Sequence, residues 1–433
     1  MKLLICSLRI GSFLARVAFL LPVMAAHAIT VTDTIPVGTS PSRASITPDG
    51  TEVYVSNMGS NTVSVIETAT NTVTDTVPVC SQPDALAASP DGSRIFVGCH
   101  GGDVHQIDTA TKAVSVIVTG APVRDLAITP DGQKIYLAME FSGLKKISTI
   151  DNSVSTVSGT VCPEAVVFTP DGLRAYVNYQ CAPPPGGVGA DPIYIFDATT
   201  DTKIGDISGF PNVGSWMAMA PDGSQLWANG ANAIPSVGLV NVFQTSDDTH
   251  IQELQFADGA GKITIFPDSS LAAVGSGVGL LIFDTATFAV VETVNVDSSG
   301  NLAFTAGGVQ AYTPAPAENS VKVLQIAHRL TLTPPSGAYL ATQGFDLGLI
   351  VEALGVSVVG GSATLDGSDV TATLTSCLIP GTLIPDGLSF RCPLLSGDFL
   401  GEGDHTLSVT LDLSDGSSVG DTVEWTVIGN TEP

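Results

Sequence analysis

Five residues near the starts of short β-rich runs carry most of the chemistry the chain offers: Asp84, Arg124, Asp125, Glu164 and Ser215. Asp84, Asp125 and Glu164 share a register at the entry to such runs. Gathered around one opening, three carboxylates offer oxygen ligands to a hard cation such as calcium. The same three would equally make a solvated acidic rim in which Arg124 pairs with a neighbour, an arrangement worth little energy. The chain has six histidines, and His100 and His105 fall five apart in one connecting region. Two imidazoles meeting across a turn suit a metal, and two on a surface loop need no metal at all. No His-Glu-x-x-His pair or P-loop occurs, so no metalloprotease or phosphate cradle announces itself.

The elements that must position these residues come from a repeat. Pro48-Asp49-Gly50 separates two β-rich runs, 44–47 and 53–56. Pro presets φ, Asp bonds its own backbone ahead, and Gly takes a positive φ, which makes a hairpin turn. The unit returns at Pro90-Asp91-Gly92, Pro130-Asp131-Gly132, Pro170-Asp171-Gly172 and Pro221-Asp222-Gly223. A sixth copy reads Pro267-Asp268-Ser269, and a seventh is reduced to Ala306-Gly307-Gly308. A period near forty with several strands per unit predicts a propeller or a solenoid. Each unit parses into four strands, the third ending in an Asp or Glu at an Asx-type turn, as at Asp108, Asp197 and Asp284.

The ends of the array decide between ring and open stack. Residues 29–37 copy the fourth strand of the first unit (Val73-Thr74-Asp75-Thr76-Val77-Pro78-Val79) with no earlier strands before them. The last unit offers a third strand, 320–326, and then leaves the pattern. A lone first strand completing an unfinished last blade closes a ring and protects its edges. The fold class is therefore all-β: a seven-bladed β-propeller closed by an N-terminal outer strand. Its inner strands line an axial channel. The mouth on the side of the longer, more variable connections, with insertions at 180–192 and 229–238, is the expected binding site.

Tyr54-Val55-Ser56-Asn57 followed by Asn61-Thr62-Val63-Ser64-Val65-Ile66 resembles the YVTN-type propeller repeat of prokaryotic surface-layer and exported proteins. The resemblance covers residues 29 to about 327. It implies a binding or scaffold role at a cell surface or in the periplasm, and for some related propellers a lactonase activity.

Lys and Arg number 16 against 42 Asp and Glu, a formal charge of −26. That excludes nucleic acid, which needs a basic stripe, and electrostatic docking to anionic lipid. Residues 1–28 read as a signal peptide: Lys2, Arg9 and Arg16, an apolar run at 17–25, and an Ala26-His27-Ala28 cleavage site. No stretch of the mature chain is long and apolar enough to span a membrane. Six cysteines remain, an even count that implies disulfides in an exported chain. Cys80 and Cys99 bracket one hairpin and Cys162 and Cys181 another, so antiparallel pairing predicts those two bridges. Cys377 and Cys392 make the third.

Residues 329–433 break the period and offer about seven short alternating strands, the pattern of an Ig-like β-sandwich. The chain thus divides into 1–28, 29–327 and 329–433. The functional expectation is a non-catalytic exported propeller that binds a protein, glycan or polymer, with no cofactor unless calcium. The alternative is a lactonase-type hydrolase with a divalent cation held by Asp84, Asp125 and Glu164 at the mouth.

Overall fold

The computed structural model describes residues 29–326 except 159–161, 180–191, 210–212, 234–235, 258, 298–299 and 306–307, together with strand segments between 329 and 428. Seven four-stranded antiparallel sheets follow one another along residues 41–78 (blade 1), 83–118, 123–158, 163–207, 213–256, 263–294 and 303–326 (blade 7). In blades 1 to 6 the strands lie side by side in chain order, and the first strands of successive blades touch one another, which places them innermost. Blade 7 supplies only three strands of its own. Its fourth is Ile29–Pro36, antiparallel to Ser320–Ile326, with Ile29 opposite Ile326 and Pro36 opposite Ser320.

The core is divided among the joints between blades. Val63, Val65, Val77, Leu86 and Ile95 fill the joint of blades 1 and 2, and Tyr136, Leu144, Val166 and Phe196 that of blades 3 and 4. One such cluster occupies every joint around the wheel. The set includes Leu280 and Leu302 between blades 6 and 7, and Tyr312, Val321 and Val53 between blades 7 and 1. Burial of this kind contributes roughly 25 cal/mol per Å² of apolar surface removed from water.

The repeated motif is explained by packing at the hairpin turns. Asp49 accepts hydrogen bonds from the Thr47 hydroxyl and the Thr51 N–H, and Asp91 does the same with Ser89 and Ser93. Gly92 has φ +71 and packs on the preceding blade, where a Cβ would come 3.3 Å from Pro48 Cδ. Gly132 and Pro90 repeat that contact. The motif therefore joins each blade to the next as well as turning the chain. In the sixth copy Ser269 takes φ +66 and its hydroxyl accepts the N–H of Asp222, a bond that replaces the glycine's fit.

A second ring of contacts fastens the rim. Tyr136 donates to Asp201 of the next blade, Tyr176 to Asp248, and Tyr312 to Asn71. Lys112 donates to Tyr54 and to Glu52. Asn71, Lys112, Asp201 and Asp248 all sit at φ between +53 and +60, the left-handed residue of the turn between third and fourth strands. The Asx turns expected there are present. Asp108 accepts the Thr111 N–H, Asp197 those of Thr199 and Thr200, and Asp284 those of Ala286 and Thr287.

Cys80 and Cys99 are disulfide-bonded, as their bracketing of one hairpin predicts. Cys162 is described, but Cys181, Cys377 and residues 1–28, where a signal peptide was expected, lie outside the described residues. In the tail, Arg329–Thr333, Phe345–Glu352, Gly387–Leu394 and Leu383–Ile384 form one sheet. Ala338–Leu340, Ser418–Ile428, Gly403–Leu413, Val358–Leu365 and Ser368–Asp369 form another. The strand expected at 370–374 falls outside the described residues. Among the described residues no helix is long and apolar enough to cross a membrane.

Ile35 is 4% exposed and packs with Val321 and Val323, whereas Val31 on the same strand is 42% exposed. Ile35→Ala should cost about 2–5 kcal/mol in denaturant unfolding, and Val31→Ala should stay within about 0.5 kcal/mol. Peptide mapping without reduction should recover Cys80 linked to Cys99, and losing that bridge should cost about 2–4 kcal/mol.

Candidate functional site: a charged belt across the axial channel

Inner strands carry the site, and a recurring irregularity aims its side chains. In blades 1 to 4 the pairing of first and second strands slips by one residue near the start of the inner strand. The slips fall between Pro41 and Arg43, Pro83 and Ala85, Val123 and Asp125, and Pro163 and Ala165. The extra residues are Ser42, Asp84, Arg124 and Glu164. Blade 5 slips between Val213 and Met217, a span that holds Ser215 and Trp216. A β-bulge bends the strand and re-aims one side chain, so the repeat turns out a ring of special positions at one end of the channel. Asp84 and Glu164 occupy this position together with Arg124. Asp125 lies one residue further on, equivalent to Arg43, which corrects the common register expected for the three carboxylates.

The belt that results crosses the axis. Arg43 Nη1 lies 2.6 Å from Asp125 Oδ1, a contact from blade 1 to blade 3. The other oxygen of Asp125 accepts the N–H of Val166 at 3.0 Å. Asp84 Oδ1 accepts a hydrogen bond from the Ser42 hydroxyl and has Lys262 Nζ at 3.6 Å and Arg43 Nε at 3.9 Å. Its Oδ2 faces His100 Nε2 at 3.6 Å, an ion-pair distance longer than a hydrogen bond. Lys262 Nζ also donates to the carbonyl and hydroxyl of Ser42 at 2.8 and 3.0 Å. Trp216 stacks beneath both cations, with Arg43 4.7 Å and Lys262 4.6 Å from its ring centre. Such contacts strengthen when desolvated.

Burial sets the electrostatics. Asp84 and Asp125 are 6% and 5% exposed. Burial alone would raise the Asp84 carboxyl, but the His100 ring, the charges of Lys262 and Arg43 and the Ser42 hydroxyl overcome it. They hold the group well below its ordinary range. Burial pushes Lys262 down to about 8, against the pull of Asp84 and with the help of Arg43. Glu164 is raised, first by burial and then by Glu140, with Arg124 opposing. Arg124 itself pairs with Glu140 at 2.6 Å.

The structure therefore brings Asp84 and Asp125 into one network and leaves Arg124 beside Glu140, in the neighbour pairing that was the plainer expectation. Ser215 sits next to Trp216, half-buried. The calcium cage suggested by Asp84, Asp125 and Glu164 is not assembled. The first two face Arg43 and Lys262, and among the described residues no three His, Cys, Asp or Glu side chains converge as ligands. His100 turns to Asp84, and His105 stands on a strand opposite Val97 and Val116, its pKa lowered by burial. Arg43, Lys262 and Trp216 were missed by the sequence reading. Arg43 was findable from its place two residues past Pro41, the counterpart of Asp125 past Val123. For Lys262 and Trp216 the later blades depart too far from the repeat.

A cavity of about 460 Å³ runs from Arg43 and Asp125 down to Pro48, Pro90 and Pro130 at the hairpin turns. It lies on the opposite side of the belt from the mouth where a ligand was expected. Around the ring, free backbone groups of the inner strands are covered by side chains of the preceding blade. Ser45 accepts the N–H of Ala88, Asn301 that of Ala44, and Thr264 that of Leu302.

The overall fold has solved counterparts. A chain of Kuenenia stuttgartiensis hydrazine synthase superposes with a TM-score of 0.59 at 18% identity, over 67% of this chain and 97% of that one. The β-propeller domain of Myceliophteria thermophila Cps50 (Swd1) does so with 0.57 at 14% identity, over 69% of this chain and all of that one. The fold is a seven-bladed β-propeller. At these identities the likeness is one of fold alone. No family model matches the chain, and no curated protein does.

Removing one partner of the belt leaves a buried charge behind. Arg43→Met should cost about 3–5 kcal/mol, and adding Asp125→Leu should recover part of it. Lys262 binds its proton less tightly folded than unfolded. Stability should therefore rise with pH between about 8 and its ordinary 10.5, a rise absent from Lys262→Met. Asp84 behaves oppositely: its contribution is present above its ordinary 3.8 and is lost as the pH falls below it, a loss that Asp84→Asn should flatten. Unfolding curves across pH read all three.

Proposed function

We propose that this is an exported, non-catalytic binding propeller that presents the face of its bulges and longer connections to a protein, glycan or surface polymer. The observation that carries this reading is the hairpin of blade 5. Its strands, Gln225–Ala233 and Ser236–Gln244, stay paired from Gln225–Gln244 out to Ala233–Ser236. The corresponding strands in the other blades run five to seven residues. At about 3.4 Å per residue, the extra pairs carry this hairpin roughly 10 Å past its neighbours. Variable extensions on a rigid scaffold are where recognition concentrates.

Two further observations support the reading. The mouth carboxylates Asp84 and Asp125 are consumed by pairing with Arg43 and Lys262, which favours a structural belt over an acid–base pair. The Cys80–Cys99 bridge suits an oxidising compartment, hence export with a cleaved leader at 1–28 to the periplasm, the medium or the cell surface. In this reading the Ile29–Pro36 strand acts as the clasp of the ring, and residues 329–433 form an Ig-like module that spaces the wheel from its attachment.

The test is capture from an envelope fraction by the full chain, compared with a variant whose residues 231–238 are replaced by a two-residue turn. The parent should retain a defined partner and the shortened variant should lose it. Equal capture by both overturns the assignment to this hairpin. Lactone hydrolysis that disappears on chelation and in Asp84→Asn overturns the non-catalytic reading.

A further inference from the structure

At the rim, blades are fastened to the ones before them by the left-handed residue of the turn into the fourth strand. Lys112, Asp201, Asp248 and Asn71 bond Tyr54, Tyr136, Tyr176 and Tyr312 in this way. Phe288, at φ +59, packs its ring 6.1 Å from that of Trp227. The joint of blades 6 and 7 has neither partner. Blade 6 carries Ala273 at the tyrosine position, since Ala273 stands opposite Thr264 as Tyr54 stands opposite Ser45. Blade 7 has no turn into its fourth strand, because that strand is Ile29–Pro36 from the start of the chain. Register puts Ile29 where Asn71 stands in blade 1. The ladder slips just after Val31 in the one and just after Val73 in the other, and each residue lies two positions earlier. Ile29 is 7% exposed and packs in one cluster with Leu271, Ala273 and Leu280. Its backbone nitrogen points at Glu292 on the outer strand of blade 6, 3.0 Å from Oε1 and 3.2 Å from Oε2. Burial raises the Glu292 carboxyl, and the Ile29 N–H is what opposes it, with no Lys or Arg among the described residues contributing.

We propose that Glu292 is the receptor for the α-ammonium of Ile29, so that removal of the leader completes the last joint of the ring. The inference rests on the exported reading and on its cleavage after Ala28. Hydrolysis there breaks the bond between the Ala28 carbonyl carbon and the Ile29 nitrogen. Water gives its oxygen to that carbon and both its protons to that nitrogen, leaving a carboxylate on the departing leader and an ammonium on Ile29. An α-amine is largely protonated at neutral pH. One neutral N–H donor thus becomes a cation with three donors, placed within reach of both Glu292 oxygens. Charge-assisted bonds are roughly twice as strong as neutral ones. Before the cut a half-buried carboxylate faces a peptide N–H, and after it the same carboxylate faces a counter-charge. Position carries the argument. Ile29 is the first residue of its ladder, its side chain is buried in the joint, and its nitrogen lies on an acid without another cation. A start one residue earlier would carry the charge about 3.4 Å further along the strand. In blades 1 to 6 the fourth strand enters from a turn and has no free amine, so this fastening belongs to blade 7.

N-terminal sequencing of the exported protein comes first and should begin at Ile29. Two chains, one starting at Ile29 and one at Ala28 and both running to the natural end, are then each made with Glu292 and with Glu292→Gln. In the chain starting at Ile29, denaturant unfolding should show Glu292→Gln lowering the folding equilibrium constant about tenfold, between the limits for exposed and buried pairs. In the chain starting at Ala28 the same change should cost less than about threefold, because the amide oxygen still accepts a peptide N–H. Asp75→Asn, at the same ladder position on blade 1, should affect both chains alike. An amine-reactive label applied to the folded protein should modify the Ile29 α-amine more slowly in the parent than in Glu292→Gln. Equal effects of Glu292→Gln on the two chains, or equal labelling of parent and variant, overturn the proposal and leave the exported reading standing. An exported chain that begins at another residue overturns the proposal together with the cleavage it rests on.

Discussion

Every blade has two apolar faces and only its neighbours to cover them. That constraint governs the whole propeller. The joint clusters show it directly: Val53 and Val55 pack against blade 7, while Tyr54, Val63 and Val65 on the same sheet pack against blade 2. A sheet removed from the ring would expose two joints at once. An array with free ends would leave two faces bare, at a cost of several buried side chains each. The Pro-to-Gly contact at the hairpin turns and the Tyr-to-turn bonds at the rim act on the same joints from two ends. Seven joints closed in the same way make the wheel a stiff frame.

Stiffness creates a problem along the axis, because inner strands turn unpaired backbone groups toward the channel. Two solutions alternate. Small polar side chains such as Ser45, Thr264 and Asn301 cover single N–H groups of the following blade. At the bulged end, Arg43, Asp84, Asp125 and Lys262 span the channel over Trp216 and fix several blades relative to one another. A buried network of this kind adds little net stability compared with apolar packing, but it breaks expensively if one member is lost. It fits a device that sets the geometry of the mouth.

Blade 2 stands apart in both respects. It contributes Asp84 and His100 to the belt, holds the described disulfide, and carries the one outer strand without charge or slip. The inner part of this blade is tied into the ring more tightly than its outer edge is guarded.

Much of this was legible in the chain. The turn chemistry of Pro-Asp-Gly is local, so its five intact copies and the two degraded ones counted the blades before any contact was known. The Cys80–Cys99 bridge followed from the same register, and so did the crowding of Asp84, Arg124, Asp125 and Glu164 at one end of the channel, because each sits at a fixed distance from a turn. What those groups face is a different matter. Arg43 is 82 residues from Asp125, and Lys262 is 220 residues from Ser42. Only closing the wheel brings them across the axis, so no periodicity within a blade can pair them. Local propensity decided the strands and the turns. The ring decided that Asp84 and Asp125 face Arg43 and Lys262, because charge compensation in a buried site depends on which distant strands the fold sets opposite one another.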